Sequence, residues 1–368
     1  MLCLIWYTKI IMEIGIIGLP NVGKSTLFNI LTNSSVAANN FPFTTIEPNV
    51  GICQLPDARL KALAELFNPD KTTPATVRFV DIAGLVKDAH NGAGLGNKFL
   101  ANIREVDAII QVVRTFPDSN IVNTLPECNP VEEIQVVQTE LILSDLEQAV
   151  RAKEKLAGLA HCGNKQAKEK TEFLQKIIQT LNKNTPLYEE NFNTEEIREY
   201  NLLSMKPVLF LLNISDKTGS SLVKKTADYL TGRKNSDYLT VNTQVEFEIS
   251  QLATVEEQNV FRKEMGITDN QVDSLIKKSY NLLNQITFYT IVGGKELRAW
   301  PILKGTAVKP ASGKIHSDIE KGFISSEVYS YNDIMKYRSE KELQGKGLIR
   351  NEGKDYIVQD GDIIKIKW

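Results

Sequence analysis

The sequence predicts an α/β fold: a parallel sheet with crossover helices, interrupted by a long helical insertion and followed by a small β-rich module. Three patterns predict it. Residues 13–130 alternate apolar β-type runs with helical periodicity, as strands joined by crossover helices do. Strand patterning then vanishes from about 131 to 203, where Glu and Lys recur at helical spacing. From Ile286 onward short strands alternate with tight turns.

Taken in order, residues 1–11 are apolar, but Lys9 interrupts them and a spanning helix needs about 20 apolar residues. They lack the basic start and small-residue cleavage site of a signal peptide, and they read as an extension before Met12. IGIIGL (14–19) reads as a buried strand and KSTLFNILT (24–32) as the helix after it. VRFVDI (77–82) and VDAIIQVV (106–113) are further buried strands. Asn129-Pro130 followed by Glu132 and Glu133 starts a helix: a capping side chain, a proline where no N–H is needed, and acids at the positive end of the dipole. Two polar helices follow, roughly 131–157 and 165–183, joined by GLAHCGN. Sheet patterning resumes at PVLFLLN (207–213) and SDYLTVN (236–242), with helices to about residue 284. ITFYTIV, ELRAWPI, GFISSEV and DIIKIKW are then strands around one main helix near 314–321, a β-grasp-like arrangement. The expected domains are 12–130 with 204–285, the insertion 131–203, and the module 286–368.

At 368 residues the chain exceeds one ordinary core. With 42% hydrophobic and 24% charged residues it is not a disordered chain. A net charge of −2 offers no overall attraction to polyanions, so direct DNA binding is not expected. Cys3, Cys53, Cys128 and Cys162 fit no zinc or CxxC spacing and read as reduced thiols of a cytoplasmic protein without membrane attachment.

The chemistry concentrates in GLPNVGKS, Gly18 to Ser25, a G-x-x-x-x-G-K-S phosphate loop between a predicted strand and a predicted helix. Its glycines let successive backbone N–H groups curl around phosphate oxygens at a helix N-terminus. The expected cradle is Asn21, Val22, Gly23, Lys24, Ser25 and Thr26, with Lys24 on the β- and γ-phosphates and Ser25 on Mg²⁺. Asp81-Ile82-Ala83-Gly84 ends the next strong strand and matches D-x-x-G. Asp81 is expected to hold a metal-bound water, and the Gly84 amide the γ-phosphate. Between the motifs lies FPFTT (41–45), where Thr45 is expected to complete the Mg²⁺ shell. Leu85 stands where a water-orienting Gln belongs and cannot hydrogen-bond water. Gln111, on a nearby strand, is a candidate substitute. Asn213-Ile214-Ser215-Asp216 stands where G proteins carry N-K-x-D to read guanine. With Ile214 in the Lys position, Asp216 alone leaves the base open.

Together, the strings GIIGLPNVGKSTLFN, FPFTTIEPNVG, DIAGLVKDA, GAGLGNKFLANIRE, IHSDIEKGFI and EGKDYIVQDGDII resemble the Obg-like ATPase (YchF) family of phosphate-loop NTPases, from Met12 to Trp368. The resemblance implies a phosphate-loop NTPase G domain, an inserted helical coiled-coil domain and a C-terminal β-grasp (TGS) domain. It implies Mg²⁺-dependent ATP hydrolysis in a switch that binds the ribosome. It also carries Asn213 over as an adenine contact and Ile214 as base packing, and it fits Leu85. Asn21 matches the asparagine that in related cation-dependent NTPases helps hold K⁺ against the phosphates. The sequence departs from the family at Asp216, where Glu is usual, and at Gln111, where His is expected in many relatives. An Obg-type GTPase, and a regulatory ribosome-binding module with incidental hydrolysis, are the alternative readings.

Overall fold

The computed structural model describes residues 12–33, 49–82, 96–117, 128–215, 220–267 and 269–368. Residues 1–11, the expected extension, lie outside the described residues. The chain opens with β1 (Glu13–Ile17), α1 (Lys24–Asn33), β2 (Val50–Gln54), α2 (Ala58–Phe67), β3 (Lys71–Thr73) and β4 (Thr76–Asp81). Next come α3 (Asn97–Glu105), β5 (Ala108–Arg114), α4 (Pro130–His161), α5 (Lys165–Asn182) and α6 (Thr194–Arg198). Then follow β6 (Val208–Asn213), α7 (Ser220–Thr231), β7 (Asp237–Val241), α8 (Thr243–Ser250), α9 (Val255–Glu264) and α10 (Gln271–Leu282). The chain divides into two compact units: Glu13–Gly51 with Phe79–Val272, and Ile52–Arg78 with Asp273–Trp368. Residues 52–78 thus group with the C-terminal segment, although the sequence pattern runs on through them.

One sheet has the order β2-β4-β1-β5-β6-β7, and β1, β5, β6 and β7 pair in parallel. Every residue of β5 and β6 is buried, which is why AIIQVVR and VLFLLN are nearly continuous apolar runs and not alternating ones. β1, β4, β5, β6 and β7 match the expected strands to within a few residues, whereas β2 is a strand that the sequence pattern does not predict.

The helical insertion departs from expectation in length. α4 runs for 32 residues to His161, straight through Gly158, so the expected turn shortens. The reversal is made at Gly163, whose φ of +83° lies in the left-handed region that glycine enters freely. Asn164 then caps α5, accepting from the Ala167 N–H. Leu174, Ile177, Ile178 and Leu181 of α5 pack with Ile142 and Ala149 of α4. Two buried acids tie α4 to the sheet side. Asp145 accepts from Leu203 N at 2.8 Å and from Ser204 N and Oγ at 2.7 Å, pinning the segment that leads into β6. Glu133, in the first turns of α4, accepts from the Arg114 N–H at the end of β5 at 3.3 Å.

The second unit continues with β8 (Gln285–Val292), β9 (Glu296–Leu303), α11 (Val308–Ser312), α12 (Ser317–Lys321) and β10 (Ser325–Ser330). It closes with α13 (Tyr331–Tyr337), α14 (Glu340–Gly345), β11 (Arg350–Glu352) and β12 (Asp362–Lys367). Its mixed sheet has the order β11-β10-β12-β8-β9-β3. The single main helix expected near 314–321 is replaced by four short ones, each starting where a local cap or turn permits. α12 keeps only five residues, because Gly322 ends it. For the same reason the strand expected from 322 begins at Ser325. Phe288, Trp300, Ile302, Val308, Val328 and Ile364 form the core, with the Phe288 and Trp300 rings stacked at 6.4 Å. Among the described residues no helix is long and apolar enough to cross a membrane.

Burial pushes the Glu133 carboxyl up from 4.5 to about 7, against the opposing pull of the Arg114 N–H and charge. An acid with a raised folded-state pKa makes the folded protein bind more protons than the unfolded chain between those values, so stability falls as pH rises from about 4.5 to 7. Glu133→Gln should remove that slope, on the order of 3 kcal/mol across the window. Urea denaturation at pH 5 and pH 8 checks it: the variant should exceed wild type at pH 8, and parallel behaviour of the two proteins would contradict the assignment.

Candidate functional site

β1 ends at Ile17 and α1 begins at Lys24, so Gly18–Gly23 makes the turn between them. Gly23 has φ +98°, and a Cβ there would collide with the Asn213 amide nitrogen. At Gly18 a Cβ would stand 2.7 Å from Val22 Cγ2 and 2.8 Å from the Val112 carbonyl oxygen. At Gly23 conformation and space both demand glycine, and at Gly18 space alone does. A loop on this path, ending at a helix N-terminus, presents backbone donors suited to an anion. Leu27, Phe28, Ile30 and Leu31 bury one side of α1. Ser25 is left exposed in the first turn, and Thr26 is half-buried behind it.

The Lys24 ammonium, its side chain only 11% exposed, is ion-paired with Asp81 Oδ1. Asp81 ends β4, and its N–H bonds to the Asn49 carbonyl at 2.8 Å. Two motifs far apart in sequence meet here at one point. A lysine largely removed from water requires a counter-charge, and Asp81 supplies one that a phosphate oxygen could equally supply. The Ser25 hydroxyl and the Asp81 carboxylate are hard oxygen donors of the kind that bind Mg²⁺ alongside phosphates and water. The donor set fits that ion.

Asn213 is buried at the end of β6. Its Nδ2 donates to the Val22 carbonyl at 2.9 Å. Its Oδ1 accepts from Thr243 Oγ1 at 3.0 Å and from Thr243 N at 3.3 Å. The side chain expected at an adenine edge is thus engaged with the phosphate loop and the start of α8. Its own carbonyl accepts from Thr115 N at 3.0 Å and Thr115 Oγ1 at 2.8 Å. Ile214 follows, half-buried, with its N–H on the Val241 carbonyl at 2.9 Å. Thr243 is the residue sequence reasoning missed; its only signal was the helix start after the strand at 236–242.

Gln111 is not brought to the Lys24–Asp81 pair. It is buried on β5, its amide reaches the Glu133 carbonyl at 3.5 Å, and it lines a small cavity with Gln138, Leu141 and Tyr188. β5 does neighbour β1, but the side chain turns toward the helical insertion. Thr45, Gly84, Leu85 and Asp216 lie outside the described residues.

A family model described as a 50S ribosome-binding GTPase matches residues 13–145. The C-terminal model of the YchF GTPases, described as a protein of unknown function, matches residues 285–368. The ribosome-binding ATPase YchF of Bacillus subtilis (strain 168) is 41% identical over 362 residues, covering 96% of this chain and 98% of the relative. Its namesake from Escherichia coli O157:H7 is 42% identical over 354 residues, covering 95% and 97%. Among solved structures, the Schizosaccharomyces pombe YchF GTPase matches with a TM-score of 0.87 at 32% identity, over 97% of each chain. With a phosphate loop that meets its partner carboxylate, a helical insertion and a C-terminal β-rich unit all matched along the full length, the chain belongs to the YchF (Obg-like ATPase) family of P-loop NTPases.

Proposed function

We propose that the protein is a Mg²⁺-dependent ATPase whose nucleotide state governs binding to the ribosome in the cytoplasm. The observation that carries this reading is the Lys24–Asp81 pair, which sets the phosphate-binding ammonium and the second motif's carboxylate at one mouth. With nucleotide bound, a γ-phosphate would serve as the counter-charge of Lys24, and the Asp81 carboxylate would be available to help hold Mg²⁺. Ser25 and Thr45 would hold Mg²⁺, which when bound offsets charge on the β- and γ-phosphate oxygens. The N–H groups of the loop from Asn21 to Thr26 fix those oxygens, and the Gly84 amide holds the γ-phosphate. The helical hairpin of 131–203 and the TGS module of 286–368 add nothing to this chemistry and serve as docking surfaces. By its motifs the G domain comprises 12–130 and 204–285, within which residues 52–78 and 273–285 cluster with the C-terminal segment.

The base is set around Asn213. Its amide is committed to Val22 and Thr243, so we assign it the positioning of the loop, with Ile214 packing beside the base. Ile214 offers no lysine stem, so the usual guanine-reading set is incomplete, and the preference for adenine is carried over from the ATPase relatives. Water positioning is a separate matter, because Leu85 has no hydrogen-bonding group and Gln111 is turned toward α4. Asn21 would hold K⁺ near the phosphates, where a positive charge meets the developing negative charge.

Lys24→Ala should weaken ATP binding about a hundredfold, roughly 2.7 kcal/mol, by isothermal titration calorimetry, and abolish ATP-dependent co-sedimentation with ribosomes. Undiminished affinity would overturn the phosphate-loop assignment. Wild type should prefer ATP over GTP about tenfold, some 1.4 kcal/mol. Asn213→Ala should weaken both nucleotides by a similar factor and destabilise the fold by about 1–3 kcal/mol. A loss confined to ATP would return this side chain to the adenine edge. Turnover in KCl should exceed turnover in NaCl at equal ionic strength, and Asn21→Ala should erase the difference; equal rates in wild type would remove K⁺ from the mechanism.

A further inference from the structure

The second compact unit holds a cavity of about 800 Å³, within the size range of small-molecule sites. It is lined from α10 and its C-terminal turn, from Lys304–Gly305, from the Ile357–Asp360 segment and from the start of α2. Two carboxylates face it, and both are already satisfied. Asp57 accepts from the Tyr289 hydroxyl, from Arg59 N at 2.9 Å and from Arg59 Nε at 3.1 Å. Asp360 accepts from an Arg59 guanidinium nitrogen at 2.8 Å and from Thr287 N at 2.9 Å. Arg59 and the two acids therefore form a closed network that contributes shape and one net negative charge but no spare hydrogen-bonding group.

Other polar groups on the wall are exposed to solvent, at the open side of the cavity, and have no protein partner. Among the described residues, the Lys277 and Lys304 ammonium groups and the Asn281 and Asn284 carboxamides have no hydrogen-bond or ion-pair partner. Lys277 and Asn281 are four residues apart on α10 and share a face. Asn284 leaves that helix with φ +52°, and its carbonyl accepts from Lys304 N at 3.0 Å, which brings the second lysine to the same rim. Pro56, Ile286 and Ile357 add apolar surface to the lining, Ile286 buried and Ile357 exposed.

We propose that this cavity is a second site, separate from the phosphate loop, for a small phosphorylated molecule: a sugar phosphate or a mononucleotide. Two ammonium groups suit a phosphoryl dianion. Carboxamides both donate and accept, so they read hydroxyls or ring heteroatoms equally well. The apolar surface takes the flat face of a sugar or base. With the closed network carrying one net negative charge and the lysines two positive, the wall attracts an anion.

The test is calorimetric titration of full-length Lys24→Ala protein, in which the phosphate loop is disabled, with ribose 5-phosphate and separately with AMP. At least one should bind saturably at one equivalent. Lys277→Ala with Lys304→Ala in the same background should weaken it tenfold or more without moving the urea midpoint. Asn281→Leu should weaken it less while leaving the folded state intact. Absence of saturable binding to either probe, or binding indifferent to the lysines, would overturn the proposal. So would lysine-dependent binding of a single-stranded RNA oligonucleotide alone, which would make the surface an RNA contact. In otherwise native protein the lysine pair variant should keep its ATP turnover, so failure here and failure of the ATPase reading are separate results.

Discussion

A lysine taken largely out of water must have an anion beside it, and the larger unit is organised around that requirement at Lys24. β4 ends where Asp81 can reach the ammonium. β6 ends where Asn213 can hold the Val22 carbonyl, and α8 begins where Thr243 can hold Asn213. Three elements distant in sequence thus fix one short loop. The parallel sheet makes this economical, because the C-terminal ends of neighbouring parallel strands lie along one edge. In the proposed function, the counter-charge of Lys24 is the term that changes when nucleotide binds.

The helical insertion is attached through buried polar groups as well as apolar packing. Asp145 satisfies three donors of the segment entering β6, and Glu133 meets the end of β5. β5 and β6 are the strands that deliver Thr115 and Asn213 to each other. The base of the hairpin is therefore continuous, through hydrogen bonds, with the clamp on the phosphate loop. Polar contacts of this kind resist being broken, since leaving their groups unpaired in the interior is costly.

The second unit stands on its own core of aromatic and aliphatic side chains, and it recruits residues 52–78 to complete its sheet edge through β3 on β9. The Asp57–Arg59–Asp360 network with Tyr289 joins these two stretches of chain. Asp57 also caps α2 through the Arg59 N–H. One carboxylate thus does both local and long-range work, which is a reason for a polar network to persist in a small β-rich unit.

The strands of the parallel sheet, the hairpin and the phosphate loop were legible in the sequence because each rests on local regularity: apolar runs, helical spacing, and glycines where backbone must turn tightly. Lys24 and Asp81 could each be named as site residues for the same reason, but their pairing with one another could not, because it joins two segments 57 residues apart. The side chain of Gln111 was not legible, since its strand neighbours β1 but the choice of face depends on what packs there, and α4 supplies the partner. Nor was the engagement of Asn213, because Val22 and Thr243 come from remote segments and no short motif records their approach. The four short helices of the second unit lay below the length at which periodicity can be read. Residues 52–78 join that unit for a similar reason: the pairing of β3 with β9 and of Arg59 with Asp360 is made across more than two hundred residues of chain. Sequence determined the elements and the loop chemistry; tertiary packing decided which polar groups were spent on structure and which were left for ligands, because hydrogen-bond partners in a buried interior are assigned by proximity in space.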